Sequence, residues 1–151
     1  MRFISVFLQT SLHRFWVLWY TLKACKALIK RALKHDLSKY SKEEEPYFRK
    51  ITHLLRNCEY GSEEYKRFLK ELQPALNHHY LVNSHHPEHY IQGISGMSDL
   101  DRIELLCDWR AASRRHKTGN LITSINKNRE RFKYDTSRII SFLRDAEEMR
   151  L

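Results

Sequence analysis

Apolar residues recur at helical spacing through most of this chain. Phe3, Phe7, Phe15, Leu18, Trp19, Leu22, Ala24, Leu28 and Ala32 follow a rhythm that predicts one long helix or two consecutive helices between Phe3 and Leu33. Ser38 and Ser41 are candidate N-caps. Ser41-Lys42-Glu43-Glu44 has the form of a capping box, so a new helix is expected near residue 42, with His35 and Asp36 at the end of the preceding one. Tyr47 to Leu55 reads as a short helix, and Asn57 to Gly61 as a break. Ser62-Glu-Glu-Tyr65 opens a run toward Tyr80 or Asn83, within which Pro74 is a point of kinking or restart.

Asn83 to Ser98 contains Pro87, Gly93 and Gly96 and reads as irregular, with room for a short helix over 87–91. Ser98-Asp-Leu-Asp101 caps a helix through Ala112, and Lys117 to Asn120 is a loop. Leu121–Phe132 is a further helix. Ser137–Met149 is the last, with Ile139, Ile140, Phe142 and Leu143 as its apolar side.

Composition supports this reading. Only 4 glycines and 3 prolines in 151 residues leave too few turn formers for a sheet protein, and 42% hydrophobic residues can supply a core. The expectation is an all-α fold: one compact domain over residues 1–151, a bundle of about six helices. A net charge of +9 attracts phosphates, nucleotides, nucleic acid or an anionic surface without choosing among them, and much of it reads as solvated helix face. Cys25, Cys58 and Cys107 are far apart and have no Cys-x-x-Cys spacing, so they indicate neither a disulfide framework nor a thiolate zinc site and point to a reducing, cytoplasmic setting. Gln9, His13 and Arg14 interrupt the first apolar run. It therefore reads neither as a signal peptide nor as a bilayer span, and no membrane partner is expected.

The chemistry lies in the histidines and aspartates. Five of the nine histidines fall between His78 and His89, far more than packing alone requires, and His35-Asp36 and Asp108 flank them. Imidazole nitrogen and carboxylate oxygen are natural ligands for Mn, Fe or Zn, and the supply is enough for one or two divalent ions. His79 and Asn83 share a helix face. Any one of these histidines alone reads as a packed or solvated residue. Asp101 and Glu104 read as solvated helix-face carboxylates, while His53, His89 and His116 have no partner at informative spacing.

The ordered set His13, His35-Asp36, His79, His85-His86 and Asp108 resembles the HD superfamily of helical, metal-dependent phosphohydrolases. A nearer resemblance is to an uncharacterised family of bacterial and viral proteins with five recurring pieces. Here they are His35–Tyr40, Pro46-Tyr47, Ala75–Asn83, His85–Tyr90 and Asp108-Trp109, so the resemblance spans about residues 10 to 115. The HD pattern implies metal at His35, Asp36 and Asp108, then at His79, His85 and His86, and lastly at His13. One departure is Ser38-Lys39 after the doublet, where many HD hydrolases carry an acidic residue nearby.

The implied reaction is phosphoester hydrolysis by a metal-activated water, on a phosphorylated small molecule such as a nucleotide. Lys39, Arg110 and Arg114 are the cations best placed in sequence to stabilise charge on the phosphate, although each also reads as an ordinary surface cation. Tyr90 or Trp109 could stack on a base, with Trp109 equally suited to a core. Two other readings are kept. HD-type scaffolds also resemble di-iron oxygenases, which use the same ligand types, and a basic helical module that binds nucleic acid or protein would need no metal.

Overall fold

The structure is a computed structural model that describes residues 2–58, 62–114 and 119–151. Among the described residues it is all-α: six α-helices and three short 3₁₀ turns, with no strand. Helix α1 (Arg2–Lys34) is continuous. It forms, with His35, one compact unit, and Asp36–Leu151 forms the other.

In the second unit, a 3₁₀ turn over Leu37–Tyr40 leads to α2 (Glu45–Asn57) and α3 (Glu63–Val82). Two further 3₁₀ turns, Pro87–His89 and Gly93–Gly96, occupy the segment read as irregular. Helices α4 (Asp99–Ser113), α5 (Leu121–Phe132) and α6 (Thr136–Glu148) follow. The predicted loop over 117–120 and break over 57–61 lie partly outside the described residues.

The caps explain most boundaries. Ser62 accepts from the Tyr65 amide to start α3, and Asn120 from the Thr123 amide to start α5. Ser98 and Asp101 form a complete capping box for α4. Asp135 caps α6 through the Arg138 amide, so this helix begins one residue earlier than Ser137. Pro74 sits inside α3 without ending it.

The Ser41–Glu44 capping box does not form. Residues 42–44 make a turn, α2 starts at Glu45, and the Glu44 side chain makes no cap bond because it points into the protein interior.

Two apolar clusters hold the second unit. Ile51, Phe68, Leu72 and Ala75 join α2 to α3. Leu105, Leu106, Trp109, Leu121, Ile125, Ile139 and Phe142 join α4, α5 and α6, with Ile94 and Met97 beneath. Phe142 is fully buried against Trp109 and Tyr134, and truncation of such a ring typically costs about 3–5 kcal/mol. Trp109 stacks on Phe132 in this cluster, which makes it a core residue rather than a base platform. Ile140 faces solvent, so the apolar side of α6 is Ile139, Phe142 and Leu143.

A candidate metal centre

Among the described residues the buried polar side chains are Glu44, His79, His85, Asp101 and Ser113, and the first three gather with Asp36 in one cluster. His79 comes from the last turn of α3 and His85 from the strap between Asn83 and Pro87, and both are about 2% exposed. Asp36 precedes the Leu37–Tyr40 turn in a left-handed conformation, φ 59°. Apart from glycine, aspartate and asparagine are the residues that enter that conformation most readily, and non-glycine residues held there gather at functional sites. The Asp36 carboxylate does not cap the turn it precedes. It faces His79 and His85 instead, with its Oδ1 3.2 Å from His79 Nε2 and 3.5 Å from His85 Nε2. His86 Nε2 is 3.0 Å from His79 Nε2. Asp36, His79, His85 and His86 each bring a ligand atom to within 4.8 Å of every other.

Both buried rings are held from behind by carboxylates. Glu44, fully buried, accepts from His79 Nδ1 at 2.8 Å through one oxygen and from His78 Nδ1 at 2.8 Å through the other. Glu104 Oε1 lies 3.2 Å from His85 Nδ1. A carboxylate only accepts, so each Nδ1 carries the proton and the neutral ring turns the lone pair of Nε2 toward Asp36. Ser38 Oγ and Asn83 Nδ2 crowd the same edge of His79, each 3.1 Å from its Nδ1, and Asn83 donates to Ser38 Oγ at 2.7 Å.

The Asp36 carboxylate and the two Nε2 lone pairs facing it at 3.2 and 3.5 Å repel unless a positive charge lies between them. Protonation would require two imidazolium rings with centroids 6.1 Å apart, whereas a single cation satisfies all three contacts at once. Tetrahedral ligands at 2.0–2.1 Å from an ion stand about 3.3 Å from each other, close to the 3.0, 3.2 and 3.5 Å seen here. The cluster has the geometry and the donor types for a divalent metal.

Electrostatics agree with this reading. Burial lowers the pKa of His86 to about 3, with repulsion from His85 and His79 adding to it and attraction from Asp108 and Asp36 opposing it. The ring is therefore a neutral ligand at ordinary pH. Burial works to raise the Asp36 pKa, yet the closeness of His79 and His85 and the bond donated by Lys39 outweigh it and hold the carboxyl below the usual range. Lys39 Nζ donates to Asp36 Oδ2 at 2.5 Å, on the oxygen away from the two rings.

Residues 3–148 match the model of a family described as "Family of unknown function (DUF5662)". The chain belongs to this family. No curated protein and no solved structure matches it.

The predicted residues are distributed as follows. Asp36, His79, His85 and His86 converge, and a ligand atom of Asp108 on α4 lies within 4.8 Å of one on His85. Lys39 is in the site through Asp36. Arg110 is half-buried and donates to Ser113 Oγ at 3.4 Å, and Arg114 is exposed at the end of α4. His13 is exposed on α1, in the first unit, and His35 ends that unit, one peptide before Asp36. Tyr90 donates its hydroxyl to Asp101 at 2.7 Å.

Two acidic residues depart from the solvated reading. Asp101 is 3% exposed and accepts from Ser84, Tyr90 and Ser98, which ties the strap before and after Pro87 to α4. Glu104 is turned to His85. Glu44 had only a helix-cap signature in the sequence, and nothing local to it pointed to His78 and His79, more than thirty residues away.

Proposed function

We propose that this protein is a divalent-metal-dependent phosphohydrolase acting on a phosphorylated small molecule, a nucleotide in the first instance. The observation that carries the reading is the set of three donor contacts near tetrahedral spacing among Asp36, His79, His85 and His86, with the His79 and His85 rings backed by carboxylates. Asp36, His79, His85 and His86 would hold one ion, with Mn, Fe or Zn matching the donor types. In this reading Asp108, beside His85, and His35, next to Asp36 in sequence, would serve a second ion, while His13, more than twenty residues before His35 on the continuous helix α1 and so roughly 30 Å from it, does not join them.

A bound ion would supply Lewis acidity toward a phosphoryl oxygen and acidify a water toward neutrality. The chain's own residues do the rest. Glu44 and Glu104 keep the two Nε2 atoms aimed inward, and burial keeps His86 neutral. Lys39, with a side chain 35% exposed beside Asp36, offers an ammonium to phosphate oxygens, and Arg110 and Arg114 are the further cations assigned to that role. The net charge of +9 favours an anionic substrate over a neutral one.

The test is metal analysis of the pure protein followed by a nucleotide screen for phosphate release, beside Asp36→Ala. Stoichiometric metal and phosphate release, both lost in the variant, support the proposal. Iron with turnover that consumes oxygen and frees no phosphate would replace it with the oxygenase reading. Nucleic-acid binding that survives chelation, in a protein without metal, would replace it with a binding module.

A further inference from the structure

Helix α1 carries chemistry independent of the metal centre. Its 33 residues include seven basic side chains, five of them from Lys23 to Lys34, and no Asp or Glu. Leu18, Leu22, Cys25, Ile29 and Leu33 recur every three or four residues on one side. Lys23, Lys26, Lys30 and Lys34 recur at the same spacing on a second stripe, about 100° around the axis. The large apolar residues of the first stripe are open to water: Leu18 58%, Leu22 55%, Ile29 60% and Leu33 75% exposed. At the N-terminal end of these stripes, Phe15, Trp16, Trp19 and Tyr20 form an exposed aromatic group, and Lys23 Nζ lies 5.6 Å from the Trp19 and Tyr20 ring centres.

We propose that α1 binds the surface of an anionic lipid bilayer, lying in the interface with its apolar stripe toward the acyl chains and its lysine stripe on the headgroup phosphates. No described helix is long and apolar enough to cross a membrane. A helix need not cross a bilayer to bind one: exposed Leu and Ile beside a stripe of Lys is the pattern of a helix held in the plane of the interface. Trp and Tyr favour the headgroup level, where ring and polar edge are both satisfied.

Charge decides among the possible occupants. A second copy of α1 would cover the apolar stripe but would set seven more cations beside the first seven, with no carboxylate on either helix to offset them. A nucleic acid would satisfy the lysines and leave the apolar stripe in water. An anionic lipid surface answers both stripes together.

The test uses the full chain with vesicles of phosphatidylcholine, alone or with about a quarter phosphatidylglycerol. Trp16 and Trp19 are the reporters, because the third tryptophan, Trp109, is already buried. Their emission should shift to the blue with the anionic vesicles, binding should be at least roughly tenfold tighter than to neutral ones, and high salt should reverse it. Lys30→Gln/Lys34→Gln, which leaves the apolar stripe intact, should weaken binding by roughly tenfold or more. Leu22→Glu/Ile29→Glu should abolish it. Equal binding to both vesicles, binding that survives the glutamate variant, or a chain that ignores vesicles while dimerising or holding an oligonucleotide would overturn the proposal.

Discussion

Glu44 Oε2 accepts from His79 Nδ1 at 2.8 Å, across 35 residues of chain, and both side chains are shut away from solvent. The bond fixes which nitrogen of His79 carries its proton. Partners of this kind are typically worth 10–100-fold in metal affinity. Glu44→Gln should therefore lower zinc or manganese affinity by roughly 10–100-fold, measured by chelator competition, with helix content by circular dichroism unchanged. Unchanged affinity would deny Glu44 a positioning role.

Asp36 combines a ligand role with a left-handed backbone, and two substitutions separate them. Asparagine tolerates the same conformation, so Asp36→Asn should lose most of the bound metal while keeping the metal-free melting temperature within a few degrees of the parent. Asp36→Val should lose the metal and also roughly 1–2 kcal/mol of stability, because a β-branched residue is strained there. Metal analysis and thermal denaturation together distinguish the two effects.

His86 sets a pH dependence in the metal-free protein. Its folded pKa of about 3 lies below the ordinary value of 6.5. Above 6.5 the ring is neutral in both states and contributes no slope. Between 6.5 and about 3 the unfolded chain takes up a proton that the native state refuses, so stability falls as pH falls. His86→Gln should flatten that decline by roughly 2 kcal/mol at about pH 5, read from urea midpoints across the window. An unchanged slope would mean that the native ring takes up its proton as readily as the unfolded one.

Asp101 contributes in the same sense at lower pH. Burial pushes its pKa up, but the bonds from Ser98, Tyr90 and Ser84 outweigh burial and hold the carboxyl below the ordinary carboxylate range. Its stabilisation is complete above the unfolded value of 3.8 and is lost as pH falls through the folded value. Asp101→Asn replaces an acceptor oxygen with a donor amide facing other donors. It should cost about 1–3 kcal/mol at neutral pH and show a smaller further loss in acid than the parent. Thermal unfolding at several pH values checks both parts.

Much of the fold was legible in the chain because helices announce themselves locally. Ser62, Ser98 and Asn120 bond to amides three residues on, so a cap can be read from a few neighbouring letters. The same reasoning failed at Glu44, where a carboxylate that fits a cap was used by histidines on another helix. Ile140 failed for a related reason. Its spacing fits the apolar side of α6, but the side that is buried depends on where α4 and α5 lie.

By itself the sequence determined the helical periodicity and the stock of ligand-forming side chains, Asp36, His79, His85, His86 and Asp108, because residue type and local spacing are properties of the chain alone. Tertiary structure decided which of them meet and which acids stand behind them. Glu44 and Glu104 became partners of imidazoles instead of cap and surface groups because packing removed water from them and left a ring nitrogen as the available donor.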